Sequence, residues 1–190
     1  MLAKIIQEAT DAVTAAINGV DNILDAVTGS VKNQIVNVLS GAGEIAGSGV
    51  EAIASVASGA IKGAGQVGTS VTDTATSVMS GVVGGVSQVG GDVIGAVRGG
   101  AQGIVQATAE TGGDIGSAAV SAVQGAIQSA GAVGADSAEA AKSAVGGAMD
   151  AATSVGGDAV ETVRKALLST AALPRDVIES ALKGSDQDKK

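Results

Sequence analysis

Between residues 1 and 183 the chain carries 26 charged side chains, and their placement is the feature that most restricts its fold. When residues are numbered modulo eleven, five of the eleven columns contain no charge at all. Those columns are apolar instead. One holds Val56, Val67, Val78, Val89 and Val133; a second holds Val13 and Leu24; a third holds Val38, Val82, Val93, Ile104 and Ile115. Eleven residues over three turns is about 3.67 per turn, which sets the five columns side by side in an arc of roughly 130° on an α-helix. A strand would need alternation at period two, which is absent. The expected fold class is therefore all-α: a long continuous amphipathic helix with 11/22-residue repeats, assembling on a surface or into a helical bundle or coiled coil.

Within the eleven lies a period of 22. Asp92, Asp114, Asp136 and Asp158 follow it, and so do Gly68, Gly90, Gly112, Gly134 and Gly156. Between the glycines, at the midpoint of each interval, stand Met79, Ala101, Val123 and Val145. On a continuous helix this alternation of notch and knob suits close packing of neighbouring helices at the five glycines. The polar side is uneven as well. Arg98, Lys142 and Arg164 lie along one edge and Asp92, Asp114, Asp136 and Asp158 along the other, so parallel helices could set one rod's basic edge against the next rod's acidic edge. Such heterologous contacts close rings or propagate filaments.

The phase runs without a break from Leu2 to Leu182, which predicts one rod. A folded bundle with turns at Gly41-Ala-Gly43, Gly63-Ala-Gly65 or Gly146-Gly147 is the alternative. Four regions are expected. Residues 1–40 form a bulkier Ile/Leu/Val-rich helical segment, and 41–172 a Gly/Ala/Val repeat helix. Residues 173–184 form a short helix after Pro174, and 185–190 a disordered polar tail.

Composition narrows the function. Phe, Tyr, Trp, His and Cys are absent, which removes the commonest general base, the thiol nucleophile and the best transition-metal ligands. Neither an enzyme activity, a catalytic residue, a cofactor nor a metal is expected. A net charge of −8 without aromatics argues against nucleic acid. Gly63-Ala-Gly65-Gln-Val-Gly68 matches the dinucleotide fingerprint, but a helical period runs through it where a strand would be needed. The uncharged stretches Thr74 to Gly91 and Ile115 to Ala135 are too poor in large apolar residues to span a bilayer. Each of the 30 glycines costs a helix interior about 0.8–1.0 kcal/mol relative to alanine. An isolated helix is therefore expected to need a partner surface for its valine stripe.

The segment Gly81-Val-Val-Gly-Gly-Val-Ser-Gln-Val-Gly-Gly-Asp-Val-Ile-Gly-Ala-Val97 resembles the repeats of the eleven-residue-repeat amphipathic helix proteins: synucleins, perilipins and exchangeable apolipoproteins. That resemblance implies a structural protein lying flat on a membrane, lipid droplet or granule, cytoplasmic and peripheral. The chain departs from the family in its scarcity of lysine, since only Arg98 is basic between Gly63 and Ala141. The partners expected are therefore a lipid or other hydrophobic surface together with further copies of the chain. The second reading is a homo-oligomeric scaffold, stalk, tube or filament with its valine stripe facing an apolar interior.

Overall fold

The computed structural model describes residues 2–17, 23–41 and 48–187. Over these the chain is all-α, in nine helices: α1 (Leu2–Ile17), α2 (Ile23–Gly41), α3 (Ser48–Gln66), α4 (Val71–Gln88), α5 (Val93–Glu110), α6 (Ile115–Ala132), α7 (Ser137–Val155), α8 (Gly157–Ser169) and α9 (Arg175–Gln187). The single rod is thus corrected to a series of short helices, and the alternative turn sites are corrected with it. Gly63 and Gly65 lie inside α3, and Gly146 and Gly147 inside α7. Gly41 ends α2, whereas Ala42 and Gly43 fall outside the described residues.

The breaks come at the turn glycines, with an aspartate two residues on after Gly90, Gly112 and Gly134 and Ser70 in that place after Gly68. Gly68, Gly90, Gly112 and Gly134 have φ of 77°, 69°, 72° and 78°, a left-handed conformation that side chains resist. Around Gly90 the geometry closes as a Schellman motif: Gly91 N–H donates to the Val86 carbonyl at 3.0 Å, and Gly90 N–H to that of Ser87 at 3.1 Å. Thr108 and Ala130 accept likewise from Gly113 and Ala135, at 2.9 and 2.8 Å. The next helix is then capped by aspartate. Asp92 accepts from Gly95 N–H and Asp114 from Ser117 N–H, each at 3.0 Å. Asp136 accepts from Ala138 and Glu139 N–H at 2.8 and 3.0 Å. Helices of 18 residues joined by turns of four, as at α4, α5 and α6, make each unit 22 residues long. The five glycines are therefore turn residues, and no atom outside the local backbone approaches within 4 Å of a side chain built on any of them.

Each helix packs chiefly against the helix two along and less closely against its immediate neighbour. The odd-numbered helices form one layer and the even-numbered helices a second. Among the described residues no helix touches one three or more along, the nearest-neighbour arrangement of an α-solenoid. Neighbours within a layer run parallel at a constant stagger. Thr10 donates to the Gly59 carbonyl, Thr28 to that of Ser77 and Ser143 to that of Ile94, each across 49 residues.

A second glycine series permits that contact. Gly59, Gly81, Gly103, Gly125 and Gly147, again 22 apart, press against the main chain of the helix two before. A methyl group on Gly59 would lie 2.5 Å from the Ile6 carbonyl oxygen, and on Gly81 2.7 Å from that of Thr28. On Gly103 and Gly147 it would run into the carbonyl oxygens of Ala54 and Arg98.

The apolar columns fill the space between the layers. Val56, Val78, Val82 and Ile104 are fully buried, and Val38, Val67, Val93 and Ile115 are partly buried against the same core. Leu24 is half-buried, and the side chain of Val13 lies outside the described residues. Val89 and Val133 depart from the expected apolar face, each 38% exposed, because both are the residues that close a helix just before the turn glycine. At the other end, α9 begins directly after Pro174, at Arg175. It continues through residues 185–187, which corrects the tail boundary, and residues 188–190 lie outside the described residues.

Candidate interaction faces and cleft

The two layers present different outer faces. On the odd layer, charges cross from helix to helix. Lys62 of α3 meets Glu110 of α5 at 2.6 Å. Arg98 of α5 reaches Asp150 of α7 through Nη2 at 2.7 Å and Nε at 3.1 Å. Gly146 leaves the room for that reach, since a methyl group there would lie 3.2 Å from Nη1 of Arg98. The middle of the even layer is the opposite: α6 carries no charge and α4 only Asp73, whereas α2 at one end holds Asp25 and Lys32 and α8 at the other holds Asp158, Glu161, Arg164 and Lys165. Among the partly exposed residues of α4 and α6 are Thr76, Ser80, Gly84, Val120 and Gln124, and Ser80 meets Ser129 of the neighbouring helix at 3.0 Å.

The anticipated charge edges therefore resolve differently. Arg98 pairs with Asp150 rather than with an aspartate of the 22-residue series, and it does so within one chain. Lys142 is exposed and favours the charged form of Asp136. Arg164 is half-buried on α8. Asp92, Asp114 and Asp136 serve as caps, with their carboxylates turned to backbone N–H groups. Asp158 breaks the series. There α8 starts at Gly157, directly after Gly156, whose φ of 143° differs from the other four turn glycines, so Asp158 sits in the first turn without capping it.

That slip has a neighbour in space. Adding 22 to Gly147 gives Ser169, so the close-contact glycine is missing where α8 should meet α6. Adding 49 to Val120, the stagger of the other pairs, also gives Ser169. Instead of closing there, α8 approaches α6 nearer its start, where a methyl group on Gly116 would lie 3.0 Å from Cβ of Ala166. A cleft of about 310 Å³ remains, with Val120 and Ser169 both in its wall. Nothing in the periodic columns drew attention to this place; the interrupted glycine series was the available signal.

Chemically these surfaces offer hydroxyls, amides and ion pairs. Among the described residues no group of three or more acidic side chains is placed to hold a metal ion. The dinucleotide-like glycines Gly63 and Gly65 belong to α3, and Gly68 to the turn after it. Comparison of the sequence with protein-family models and with curated proteins gives no match.

Three carboxyls are held below their ordinary range. Glu110 is lowered first by its hydrogen bond to Lys62, Asp114 by the Ser117 backbone N–H, and Asp136 by the N–H groups of Glu139 and Ala138. Groups depressed in the folded state stabilise it fully above their unfolded values and lose that contribution as pH falls through the folded values. Thermal melts should accordingly be flat from neutral pH down to about pH 5 and decline below about pH 4. Asp114→Asn and Asp136→Asn, which keep the caps but cannot titrate, should flatten the decline. A midpoint that rises on acidification would contradict this assignment.

Proposed function

We propose that the chain is a non-catalytic structural protein, a solenoid scaffold whose repeated amphipathic helices seal their valine columns inside one molecule and leave two unlike outer faces for partners. The observation that carries this reading is the burial of Val56, Val78, Val82 and Ile104 between the layers. Those are the groups a surface coat would have to turn outward. Ion pairs and close glycine contacts, made by residues other than those expected to act between copies, join α3, α5 and α7 within a single chain.

A second reading, peripheral association with a lipid or other hydrophobic surface, draws support from the first two helices. Ile5, Ile6, Leu24, Val36 and Leu39 are all half-buried there. Val36 occupies the position held by Ser58, Ser80, Gln102 and Gln124 in later units. Any such association would be peripheral for the described helices, none of which is long and apolar enough to cross a membrane.

Circular dichroism and sedimentation without lipid separate the readings. The scaffold should be strongly helical as a monomer, with a melting midpoint independent of protein concentration. A chain that stays disordered until vesicles are added would favour the coat. A midpoint that climbs with concentration would favour a homo-oligomeric stalk or filament.

A further inference from the structure

We propose that the cleft between α4, α6 and α8 is a binding site for a small, uncharged polyhydroxyl molecule of about monosaccharide size. Its origin is specific. The close-contact series Gly59, Gly81, Gly103, Gly125 and Gly147 ends in Ser169, and the cleft opens where that glycine would have let α8 lie down on Val120. At about 310 Å³ it stands at the small end of the range of about 300–1,000 Å³ common for ligand pockets.

The lining sets the ligand chemistry. Polar groups come from Thr72, Ser117, Ser121, Gln124, Ser169 and Thr170, over an apolar floor of Val120 and Ala166, with no charged side chain in the wall. Three of the hydroxyl protons are already committed. Ser117 donates to Asp114 at 2.8 Å, and Ser169 and Thr170 both donate to the Ala166 carbonyl, at 3.1 and 2.9 Å. Their oxygens keep lone pairs to accept with. A ligand must therefore supply donors. The Gln124 carboxamide both donates and accepts, so the ligand also gains from carrying acceptors. Hydroxyls arrayed on a small ring do both, whereas an ammonium ion only donates and would find no carboxylate in the wall. The Asp114 carboxylate lies behind Ser117 and is already taken up by that hydroxyl and by the Ser117 backbone N–H. This inference does not depend on the scaffold reading.

The test is a titration of isotope-labelled protein with myo-inositol, followed by NMR. Saturable shifts should be confined to the Val120 and Ala166 methyls and their neighbours, with the buried Val56 unmoved. Gln124→Ala, a change at a partly exposed site, should weaken binding by about threefold to tenfold, the worth of one or two hydrogen bonds. Ser169→Gly should close the cleft and abolish the shifts while leaving the rest of the spectrum in place. Ala166→Leu, which fills the cleft from its floor, serves the same purpose should Ser169→Gly disturb α8. Absence of shifts with inositol, shifts that persist unchanged in both cleft-closing variants, or shifts produced by ethylammonium chloride alone would each overturn the proposal.

Discussion

Gly103→Val should lower stability by about 3 kcal/mol, the upper end of what an overpacked contact usually costs. In a chain of this length that is a fall in melting midpoint of about 6–12 °C. Any β-carbon at this position meets the carbonyl oxygen of Ala54, which belongs to the backbone of α3 and cannot rotate away. Relief requires α5 to move off α3, and the same displacement draws Glu110 from Lys62. Gly147→Val should behave alike against Arg98 and also strain the reach to Asp150. The contrast is Gly29→Ala, inside α2 with open space around it, which should stabilise by about 1 kcal/mol from helix propensity alone. Similar losses at Gly103 and Gly29 in thermal melts would mean that the parallel stagger is misplaced.

The second large effect concerns the caps. Replacing both Asp92 and Asp114 by alanine should lower the midpoint by about 4–8 °C, each lost cap weakening its helix by about 1 kcal/mol. Asparagine at the same two positions should restore most of the loss, because it accepts the same N–H bonds without a charge. Asp158→Ala is the control, since that residue keeps the 22-residue spacing without capping α8. An equal penalty at Asp158 would show that the spacing of acidic charge matters and the hydrogen bonds do not.

The all-helical class and the apolar columns could be read directly from the residues, because charge exclusion from five columns survives any arrangement of the helices. The turns could not, and the reason is arithmetic. Eighteen helical residues and four in the turn make 22, two full elevens, so α4, α5, α6 and α7 all begin in the same column. A break that normally disturbs phase was silent here. The local mark was Gly90 followed two residues later by Asp92, a C-terminal glycine beside an N-cap, repeated at Gly112 and Asp114 and at Gly134 and Asp136. Read as notches on a rod, those glycines take on the packing that belongs to Gly59, Gly81, Gly103, Gly125 and Gly147. That second series was hidden among 30 glycines until the stagger of 49 residues gave it neighbours. The pairs Lys62–Glu110 and Arg98–Asp150 left no periodic trace, since their separations of 48 and 52 residues follow from the packing of layers.

Because contacts among the described helices reach only one or two helices along, the molecule's extent is adjustable without redesigning any joint. Duplicating 44 residues would lengthen it and leave every later helix on its own side. Duplicating 22 would instead turn the remainder over, carrying the ionic flank round to where the hydroxyl flank had been, so parity decides which side a lengthened descendant would show.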